Sequence, residues 1–412
     1  MRLRADLAGT PELRAFREEL ATWLAEQLTD DFRGPGVRGV PGDVGLVDPT
    51  GAEGEDFERR RAWQRVLHAG GWVGVHWPAA HGGRSAGLME HALYLLECAA
   101  AGAPEPVNAI GINMVGPTLI EHGTDEQLEL LPGILSADAI WSQLFSEPEA
   151  GSDLGNINTR ARPTDDGGWV VTGQKVWTSW GLVADLGLLV ARTGSHVGDT
   201  PGPGKGFRGL SCFVMDMRAP GVTVRGLRQM SDNVHFAEVF LDDVVLPPGA
   251  LIGKENEGWT VASTTLAHER TTAILSRHAT TLAAAARMLD LARRPGTPAA
   301  LVDRALSVWS EAQIFCLNGY RGVAEAAGGS PSPATWLQRM QWGLVSRRIF
   351  ETAADLRGSA SLLAGDPDDP DAADWNRLLL ASRGWTIGGG TTEIQRNMLG
   401  EKVLGLPREP KR

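Results

Sequence analysis

The first third of the chain carries apolar residues at the spacing of amphipathic helices. From Pro11 to Leu28, apolar side chains recur every three or four positions, which predicts a helix with one buried face. A Gly/Pro-rich loop, Gly34–Gly54, follows. The helical period then resumes and predicts four further helices at Phe57–Ala69, Leu88–Ala101, Val107–His122 and Asp125–Leu131, the last ending before Pro132.

The pattern changes near Ala139. Short runs rich in β-branched and aromatic residues now alternate with Gly, Asp and Pro, as is typical of strands in an antiparallel sandwich or barrel. Thr193–Gly206 is polar and predicts a loop within this region. Strands are predicted at Trp169–Gly173, Gly187–Arg192, Leu210–Met215, Val222–Arg225 and Ala237–Leu241.

The helical period returns after Gly258 and continues to the end. Trp259–Arg294 predicts one long helix that ends at Pro295-Gly296. Later helices are predicted at Ala300–Ala327, Pro333–Ala364, Asp371–Ser382 and Thr391–Leu404. This order predicts an α+β fold: an N-terminal helical domain (1–138), a middle antiparallel β-sandwich or barrel domain (139–250) and a C-terminal domain like a four-helix bundle (251–412).

Composition and charge narrow the classes of function. The 412-residue chain has a net charge of −11, which argues against a nucleic-acid partner. Its three cysteines are widely spaced and form neither a metal-binding pattern nor a disulfide framework. The sequence has no apolar run long enough for a membrane span and no secretory signal at its start. We therefore expect a cytoplasmic protein without a structural metal.

Two segments of the β region offer groups that suit a planar ligand. Trp141–Leu154 contains Gly151, which permits close backbone approach, and the hydroxyls of Ser146 and Ser152. Gly173–Trp180 contains an indole, Trp177, beside the hydroxyls of Thr178 and Ser179. A flat ring needs an apolar face and hydrogen bonds at its edge, and these segments provide both. Taken singly, however, a Gly-Ser-Asp turn and a strand with a Trp are more often structural.

The order of several motifs resembles that of the acyl-CoA dehydrogenase family along nearly the whole chain. The residues that carry the resemblance are Gly70–Trp72, Trp77-Pro78, Gly82-Gly83, Gly116-Pro117, His122–Gln127, Phe145–Asp153, Gln174–Trp177, Phe240–Pro247 and Gly389–Arg396. The resemblance implies an FAD-dependent oxidoreductase of fatty acid or lipid metabolism. Its substrate would be an acyl-CoA thioester and its electron acceptor an electron-transfer flavoprotein or another acceptor.

The resemblance also implies roles for individual residues. The isoalloxazine ring would be faced by Leu144, Phe145 and Ser146, and covered by Trp177, with Thr178 or Ser179 hydrogen-bonded near N5. Thr391 and Glu393 would reach FAD from the last helical segment. The substrate would lie near Ser152, Gly389 and Gly390, with Ser152 on its phosphopantetheine side.

The residue that removes the substrate's α-proton departs from the commonest family pattern. Many members carry a catalytic Glu where this chain has Gly389, and glycine cannot accept a proton. In a second arrangement known in the family, the Glu lies on the helix after the β domain. Here Glu269 stands at that place, followed by Arg270, which could orient the site. The structural alternative is a solvated Glu-Arg pair on a helix face.

Three functions are compatible with these residues. The first is acyl-CoA α,β-desaturation with Glu269 as the base. The second is a related flavin oxidase or monooxygenase of secondary metabolism, because a fold does not determine a reaction. The third is a non-catalytic partner subunit of a hetero-oligomeric dehydrogenase.

The family's usual Arg-x-x-Phe-Gly contact to the FAD pyrophosphate is missing, and Arg293, Arg294 or Arg304 could replace it. A dimer or tetramer, homomeric or heteromeric, is expected.

Overall fold

A computed structural model describes residues 9–32, 54–193, 206–271, 276–328, 333–363 and 372–408. Within helices, the side chains of residues 54, 55, 269–271, 276 and 372–374 are not described. The order of elements is helices, then strands, then helices, so the predicted α+β class is confirmed. Most of the predicted loop Gly34–Gly54 and of the loop Thr193–Gly206 lies outside the described residues.

The N-terminal helices pack around buried tryptophans. Trp63, Trp72 and Trp77 are each almost fully enclosed in one apolar core, which also takes in Trp141 from the first strand. The helices are α1 (Pro11–Gln27), α2 (Gly54–Ala69), α3 (Leu88–Ala101), α4 (Gly116–His122), α5 (Asp125–Leu128) and α6 (Leu131–Ser136). The shared core joins the helical domain to the sheet behind it.

Two details of this region differ from the prediction. The helix predicted to end before Pro132 instead stops at Leu128, and Pro132 lies in the first turn of α6. Proline is tolerated there because a first-turn N–H has no partner within the helix. The helix predicted over Val107–His122 begins as a π-helical segment, Gly111–Val115, before α4. Pro117 in the first turn of α4 has no N–H to continue a regular ladder.

The middle strands form one sheet. Among the described residues it has eight strands, with the order β6-β7-β3-β2-β4-β5-β8 and β1 paired to β4. The strands are β1 (Trp141–Leu144), β2 (Arg160–Pro163), β3 (Trp169–Ser179), β4 (Leu186–Arg192), β5 (Leu210–Asp216), β6 (Val222–Leu227), β7 (Phe236–Leu246) and β8 (Leu251–Ile252). All five predicted strands are present, whereas the shorter β1, β2 and β8 were not predicted. β8 lies just beyond the predicted boundary at residue 250.

The pairing is mostly antiparallel but not entirely so. β4 pairs in parallel with β1 over four residue pairs, from Trp141 opposite Leu186 to Leu144 opposite Leu189. β4 also pairs in parallel with β2 at Arg192 and Arg160. The strands were predicted to be antiparallel, and these two parallel pairings are the exceptions among the named strands of the described residues. Parallel pairing brings the ends of β1 and β4 to the same edge, so the chain after Leu144 continues along that edge.

The C-terminal part is helical, as predicted. Its helices are α7 (Gly258–Thr271), α8 (Ser276–Ala292), α9 (Ala299–Ala327), α10 (Pro333–Arg357), α11 (Ala372–Ala381) and α12 (Thr392–Lys402). α8, α9 and α10 enclose an apolar core that includes Met288, Phe350 and Trp375. The prediction of a single helix over Trp259–Arg294 includes residues 272–275, which lie outside the described residues. In the described part of the chain, no helix is long and apolar enough to cross a membrane.

A buried amide network joins the helical domain to β1. The Asn108 side chain accepts a hydrogen bond from the Trp141 N–H at 3.0 Å and donates to the Ala139 carbonyl at 2.8 Å. Gln64 accepts from the Asn108 N–H at 2.9 Å and donates to the Ile134 carbonyl at 2.9 Å. Both side chains are almost completely buried. Since a buried polar group is costly without partners, these bonds hold β1 at one position on the helices.

A buried ion pair joins β3 to the chain that follows β1. The Lys175 ammonium lies 2.9 Å from the Glu147 carboxylate and donates to the Phe145 carbonyl at 3.0 Å. Glu147 also accepts from the Asn158 N–H at 2.5 Å and the Thr159 N–H at 2.9 Å. The Lys175 side chain is 0% exposed and that of Glu147 is 5% exposed. The pair is therefore shielded from water and from salt.

The ionisation of this pair follows from its partners. Burial alone would raise the pKa of Glu147, but Lys175 and the two backbone N–H groups outweigh it and hold the pKa below the ordinary 4.5. The contribution of Glu147 to stability is thus present above its unfolded pKa and is lost as the pH falls through its lowered folded pKa. Burial lowers the pKa of Lys175, against the attraction of Glu147.

We expect Lys175→Met to destabilise the protein by about 3–5 kcal/mol, because it leaves a carboxylate buried without its cation. Adding Glu147→Gln should recover much of this loss, since the amide oxygen still accepts a backbone hydrogen bond and no charge remains. The free energy of unfolding from urea titrations would measure both effects.

The matched control is Arg162→Met, which breaks the Arg162–Asp243 pair, whose partners are 62% and 66% exposed. Its cost should stay below about 1 kcal/mol. Equal losses for Lys175→Met and Arg162→Met would show that the buried pair does not hold these strands together.

Candidate functional site

The candidate site lies where the chain after β1 runs beside the end of β3. The Val176 N–H donates to the Ser146 carbonyl at 2.9 Å. The Ser142 hydroxyl donates to the Ser179 carbonyl, also at 2.9 Å. Together with the Lys175–Glu147 pair, these bonds bring the two segments singled out in the sequence into contact.

Trp177 is held outward by a distortion of β3. Lys175 pairs with Val239 and Thr178 with Ala237, so two residues of β3 stand opposite the single residue Glu238 of β7. This is a β-bulge, and it gives Trp177 a left-handed backbone with φ of +59°. Such a conformation is costly for an aromatic residue and is concentrated at functional sites.

The Trp177 ring is the exposed wall of the site. It is 58% exposed and contacts the Phe236 ring edge-on, with the centroids 5.7 Å apart. Phe236 in turn meets His235, whose ring packs edge-on against Trp180 at 5.1 Å. The Trp177 ring is thus supported by Phe236 at the start of β7, and more than half of the residue remains open to a ligand.

The two hydroxyls beside Trp177 differ in access. Thr178 is 0% exposed, and its Oγ1 is buried without a hydrogen-bond partner. Ser179 is half-buried at the last position of β3, opposite Phe236. The sequence left either residue open as the hydrogen-bond donor to a ligand. Burial favours Ser179, because the Thr178 hydroxyl is closed off by the packed sheet.

The side chains after β1 mostly point into cores. Leu144 packs inside the sheet so tightly that a Cβ on Gly187 would lie 2.2 Å from its Cδ1. Phe145 is buried in the core shared with the N-terminal helices, whereas Ser146 is half-buried. A ligand beside this segment would therefore meet its backbone and Ser146 rather than the Leu144 side chain.

The loop that carries Ser152 is held in place by hydrogen bonds from the buried Arg192. Ser152 is exposed, and a short 3-10 turn, Leu154–Asn156, follows it. Arg192, only 3% exposed, donates to the Gly155 carbonyl and to the Arg208 carbonyl, both at 2.8 Å. One buried guanidinium thus holds two loops at the same edge of the sheet, since its fork can satisfy several carbonyls at once.

The C-terminal segment Gly389–Glu393 lies in the helical bundle, beside α10. Gly389 and Gly390 have left-handed backbones, with φ of +67° and +97°. Thr391 caps α12 by accepting from the Ile394 N–H at 3.2 Å, and Glu393 is exposed in the first helical turn. The hydrogen bonds of this segment run within the bundle, so the structure does not join it directly to Trp177.

Helix α7, which carries Glu269 and Arg270, is bound to the N-terminal domain through hydroxyl groups. Thr265 and Thr118 share a hydrogen bond of 2.9 Å, and Thr264 lies 2.8 Å from the His122 Nε2. The helix is described through Thr271, but the side chains of Glu269 and Arg270 lie outside the described residues. Glu269 stands one turn after Thr265, which is fully buried.

Neutral histidines lie next to this helix. Burial lowers the pKa of His268, and nearby Glu121 opposes that shift. Burial, together with His268, lowers the pKa of His76 to about 4. The His76 ring stacks on His91, with centroids 4.3 Å apart and planes 6° apart. Burial thus favours the neutral form of both His76 and His268, in keeping with a packing role for His268.

Two of the arginines that could replace the usual pyrophosphate contact already have acidic partners. Arg293 donates to Asp290 at 2.6 Å, and Arg304 is paired with Asp355. Both arginines lie on the outer side of the bundle and remain exposed in part. Among the described residues, no cluster of His, Cys, Asp and Glu is arranged to hold a metal ion.

The arrangement at Trp177 suits a flat, polar-edged cofactor such as the predicted FAD. An open indole face and two half-buried serines, Ser146 and Ser179, lie on the two segments that meet here. Sequence reasoning missed the Lys175–Glu147 pair that assembles them. No signal in the sequence indicated this burial, because Lys175 follows the polar run Thr172-Gly173-Gln174 and a lysine in a polar run is usually exposed.

Comparison with known families agrees with this reading of the whole chain. Three models match in order: the acyl-CoA dehydrogenase N-terminal domain at residues 47–138, the middle domain at 142–244 and the C-terminal domain at 256–404. The middle match contains Trp177. It covers β1 through β6 completely, except for Trp141, the first residue of β1.

Individual relatives match over nearly the full length. Acyl-CoA dehydrogenase IpdE1 of Mycolicibacterium smegmatis is 36% identical, with 97% of this chain and 99% of the relative covered. The Tcur3481-Tcur3483 steroid ACAD has a similar structure, with a TM-score of 0.79, 25% identity and coverage of 98% and 100%. For the ChsE4-ChsE5 complex of Mycobacterium tuberculosis these values are 0.78, 28%, 99% and 100%. The chain therefore belongs to the acyl-CoA dehydrogenase family.

Proposed function

We propose that the protein is an FAD-dependent dehydrogenase that introduces a Cα–Cβ double bond into an acyl-CoA thioester. Members of this family are oxidoreductases that bind FAD. The observation that carries the proposal for this chain is Trp177, an aromatic residue kept 58% exposed by a left-handed bulge in an otherwise packed sheet. An exposed indole on a strained backbone has no role in packing the core, but it provides a surface on which a flat ring can stack.

The residues around Trp177 would hold the ring of FAD from two sides. Trp177 would cover one face, and Ser179 would donate a hydrogen bond near N5. Leu144, Phe145 and Ser146 would contribute mainly backbone groups, since Leu144 and Phe145 are buried in the cores. Thr391 and Glu393 would contact FAD from the start of α12. Ser152, Gly389 and Gly390 would lie along the substrate.

Glu269 would act as the base, assisted by Arg270. When bound, FAD accepts the hydride that leaves the substrate's β-carbon. Glu269 would take the α-proton, so the electron pair left on the α-carbon forms the new double bond as the hydride departs. Proton abstraction from a weak carbon acid requires a base whose pKa lies near the working pH, and burial of Glu269 would raise its pKa in that direction. Electrons would then pass to an electron-transfer flavoprotein or another acceptor.

Glu269→Gln should lower the rate of flavin reduction by about 100- to 10,000-fold, because the amide cannot accept the proton. The measurement is anaerobic bleaching of the flavin absorption with a panel of straight, branched and ring-bearing acyl-CoAs. Glu255→Gln, in an exposed position shortly before α7, is the matched control and should reduce normally. Full-rate bleaching in Glu269→Gln would remove Glu269 from the role of base. Reduction followed by consumption of dioxygen, without transfer to other acceptors, would instead support an oxidase.

Trp177→Ala should weaken FAD binding by about tenfold or more while the melting temperature of the apoprotein changes little, since the ring is mostly exposed. Trp177→Phe keeps an aromatic face and should retain most of the affinity. The dissociation constant of FAD, measured by titration of the apoprotein, tests this. An unchanged constant in Trp177→Ala would place the cofactor elsewhere.

A second candidate function is that of a partner subunit in a hetero-oligomeric dehydrogenase. The observation in its favour is Gly389, which stands where many members carry the base. Two similar structures, the Tcur3481-Tcur3483 steroid ACAD and the ChsE4-ChsE5 complex, are each described by a pair of proteins. Exposed apolar residues on α9, Leu306, Ile314 and Leu317, would suit contact with another subunit.

Purification of the chain alone separates the two candidates. A yellow protein with flavin absorption that bleaches with an acyl-CoA supports a self-sufficient dehydrogenase. A colourless protein that acquires FAD only when a second subunit is co-expressed supports the partner function. In that case Glu269→Gln should leave the rate of the assembled complex unchanged, which contradicts the first candidate directly.

A further inference from the structure

The segment that leads into α12 has little stiffness of its own. Three consecutive glycines, Gly388–Gly390, precede Thr391, and two of them adopt left-handed backbones. Glycine has the widest choice of backbone conformations, so a run of three loses the most entropy when it is ordered. Hydrogen bonds from residues outside the segment must therefore hold it in one conformation.

Arg339 on α10 donates the strongest of these hydrogen bonds. Its guanidinium donates to the Trp385 carbonyl at 2.8 Å and to the Gly388 carbonyl through its other terminal nitrogen. These two acceptors flank the exposed Ile387. Hydrogen bonds from a charged donor are roughly twice as strong as neutral ones, and the fixed fork of arginine sets the spacing of the two carbonyls.

Two other side-chain hydrogen bonds to this segment are longer and come from neutral donors. Gln395 reaches the Gly389 carbonyl at 3.3 Å, and Thr392 reaches the Thr386 carbonyl at 3.4 Å. Both donors belong to α12 itself, so they tie the segment to the helix that follows it but not to the rest of the bundle. Arg339 is the group that fixes the segment to α10.

The surroundings of Arg339 keep it in place. Its guanidinium lies 4.9 Å from the centre of the Trp342 ring, and Trp342 stacks on Trp385 with centroids 5.1 Å apart. α10 also comes very close to the segment, since a Cβ on Gly343 would lie 2.6 Å from the Trp385 carbonyl oxygen. The half-buried Arg339 guanidinium lies above the Trp342 ring and beside the Trp385 carbonyl, so it has little freedom to move away.

We infer that Arg339 is a positioning residue for the cofactor: it sets the conformation of Gly388–Gly390 and thereby the place of Thr391 and Glu393. This inference rests on the proposed function, in which those two residues contact FAD. Without Arg339 the glycine segment would sample many conformations, and ordering it would oppose FAD binding. The cost would appear in the affinity for FAD, whereas the bundle core of α8, α9 and α10 does not depend on this contact.

The test compares Arg339→Met and Arg339→Lys with Arg348→Met. Arg348 lies on the same helix but pairs with Glu311 of α9, so its loss removes an arginine without touching the segment. Arg339→Met should raise the dissociation constant of FAD about tenfold, with the melting temperature of the apoprotein close to that of Arg348→Met. Arg339→Lys should fall between, because an ammonium bonds one carbonyl well but not both.

Hydrogen exchange of the apoprotein gives a readout that needs no cofactor. The N–H groups of Ile387 and Gly388 both donate to the Gly384 carbonyl at 3.0 Å. Their exchange should become faster in Arg339→Met and stay unchanged in Arg348→Met. Unchanged exchange in Arg339→Met, or an FAD affinity equal to that of the wild type, would overturn the inference while leaving the proposed function intact. A wild-type chain that binds no FAD would overturn both.

Discussion

The candidate site depends on one charged pair that is almost completely buried. Lys175 from β3 pairs with Glu147 from the chain after β1. Lys175 also donates to the Phe145 carbonyl, and Glu147 also accepts from the Thr159 N–H. Because both charges are desolvated, the pair tolerates no displacement of one strand relative to the other. The segments that carry Ser146, Trp177 and Ser179 are therefore brought to one place by a contact that touches none of the ligands they are proposed to hold.

The same principle recurs at the other parts of the site. Arg192 holds the loop after Ser152, Arg339 holds the glycines before α12, and threonine hydroxyls hold α7 against α4. In each place a buried or half-buried polar side chain fixes a segment whose own sequence is small, polar or glycine-rich. Ser152, Gly389 and Gly390 thus lie in connecting segments that polar side chains on regular elements hold in place. Trp177 and Ser179 lie in a strand, and Glu269 lies in a helix.

Much of the fold followed from local patterns. The long amphipathic helices and the β-branched strands were predictable because each buries one face, and burial imposes a period on the residues. β1, β2 and β8 were missed because strands of two to four residues are too short to show a period. The parallel pairing of β1 with β4 was also missed, since it joins residues about 45 positions apart and leaves no local signal.

The site was predictable in outline only. The motifs around Ser146 and Trp177 singled out two segments that the structure brings into contact. They did not predict the bulge at Trp177, because a bulge depends on how β7 pairs with β3. Likewise, the sequence could not separate Thr178 from Ser179, since their difference is one of burial. Glu269 stays a prediction from family position and helix spacing. Arg339 carried no motif at all, because its partners are backbone carbonyls that any residues could supply.

The amide network at Asn108 has a consequence for exchanging parts between relatives. The first N–H of β1 is satisfied by a side chain from the helical domain, and that side chain is in turn held by Gln64. The point at residue 138, where helices give way to strands, is therefore not a seam along which the protein can be cut. A chimera joined there would take β1 from one parent and Asn108, the acceptor for the Trp141 N–H, from the other. Gln64, Asn108 and β1 must therefore come from the same parent.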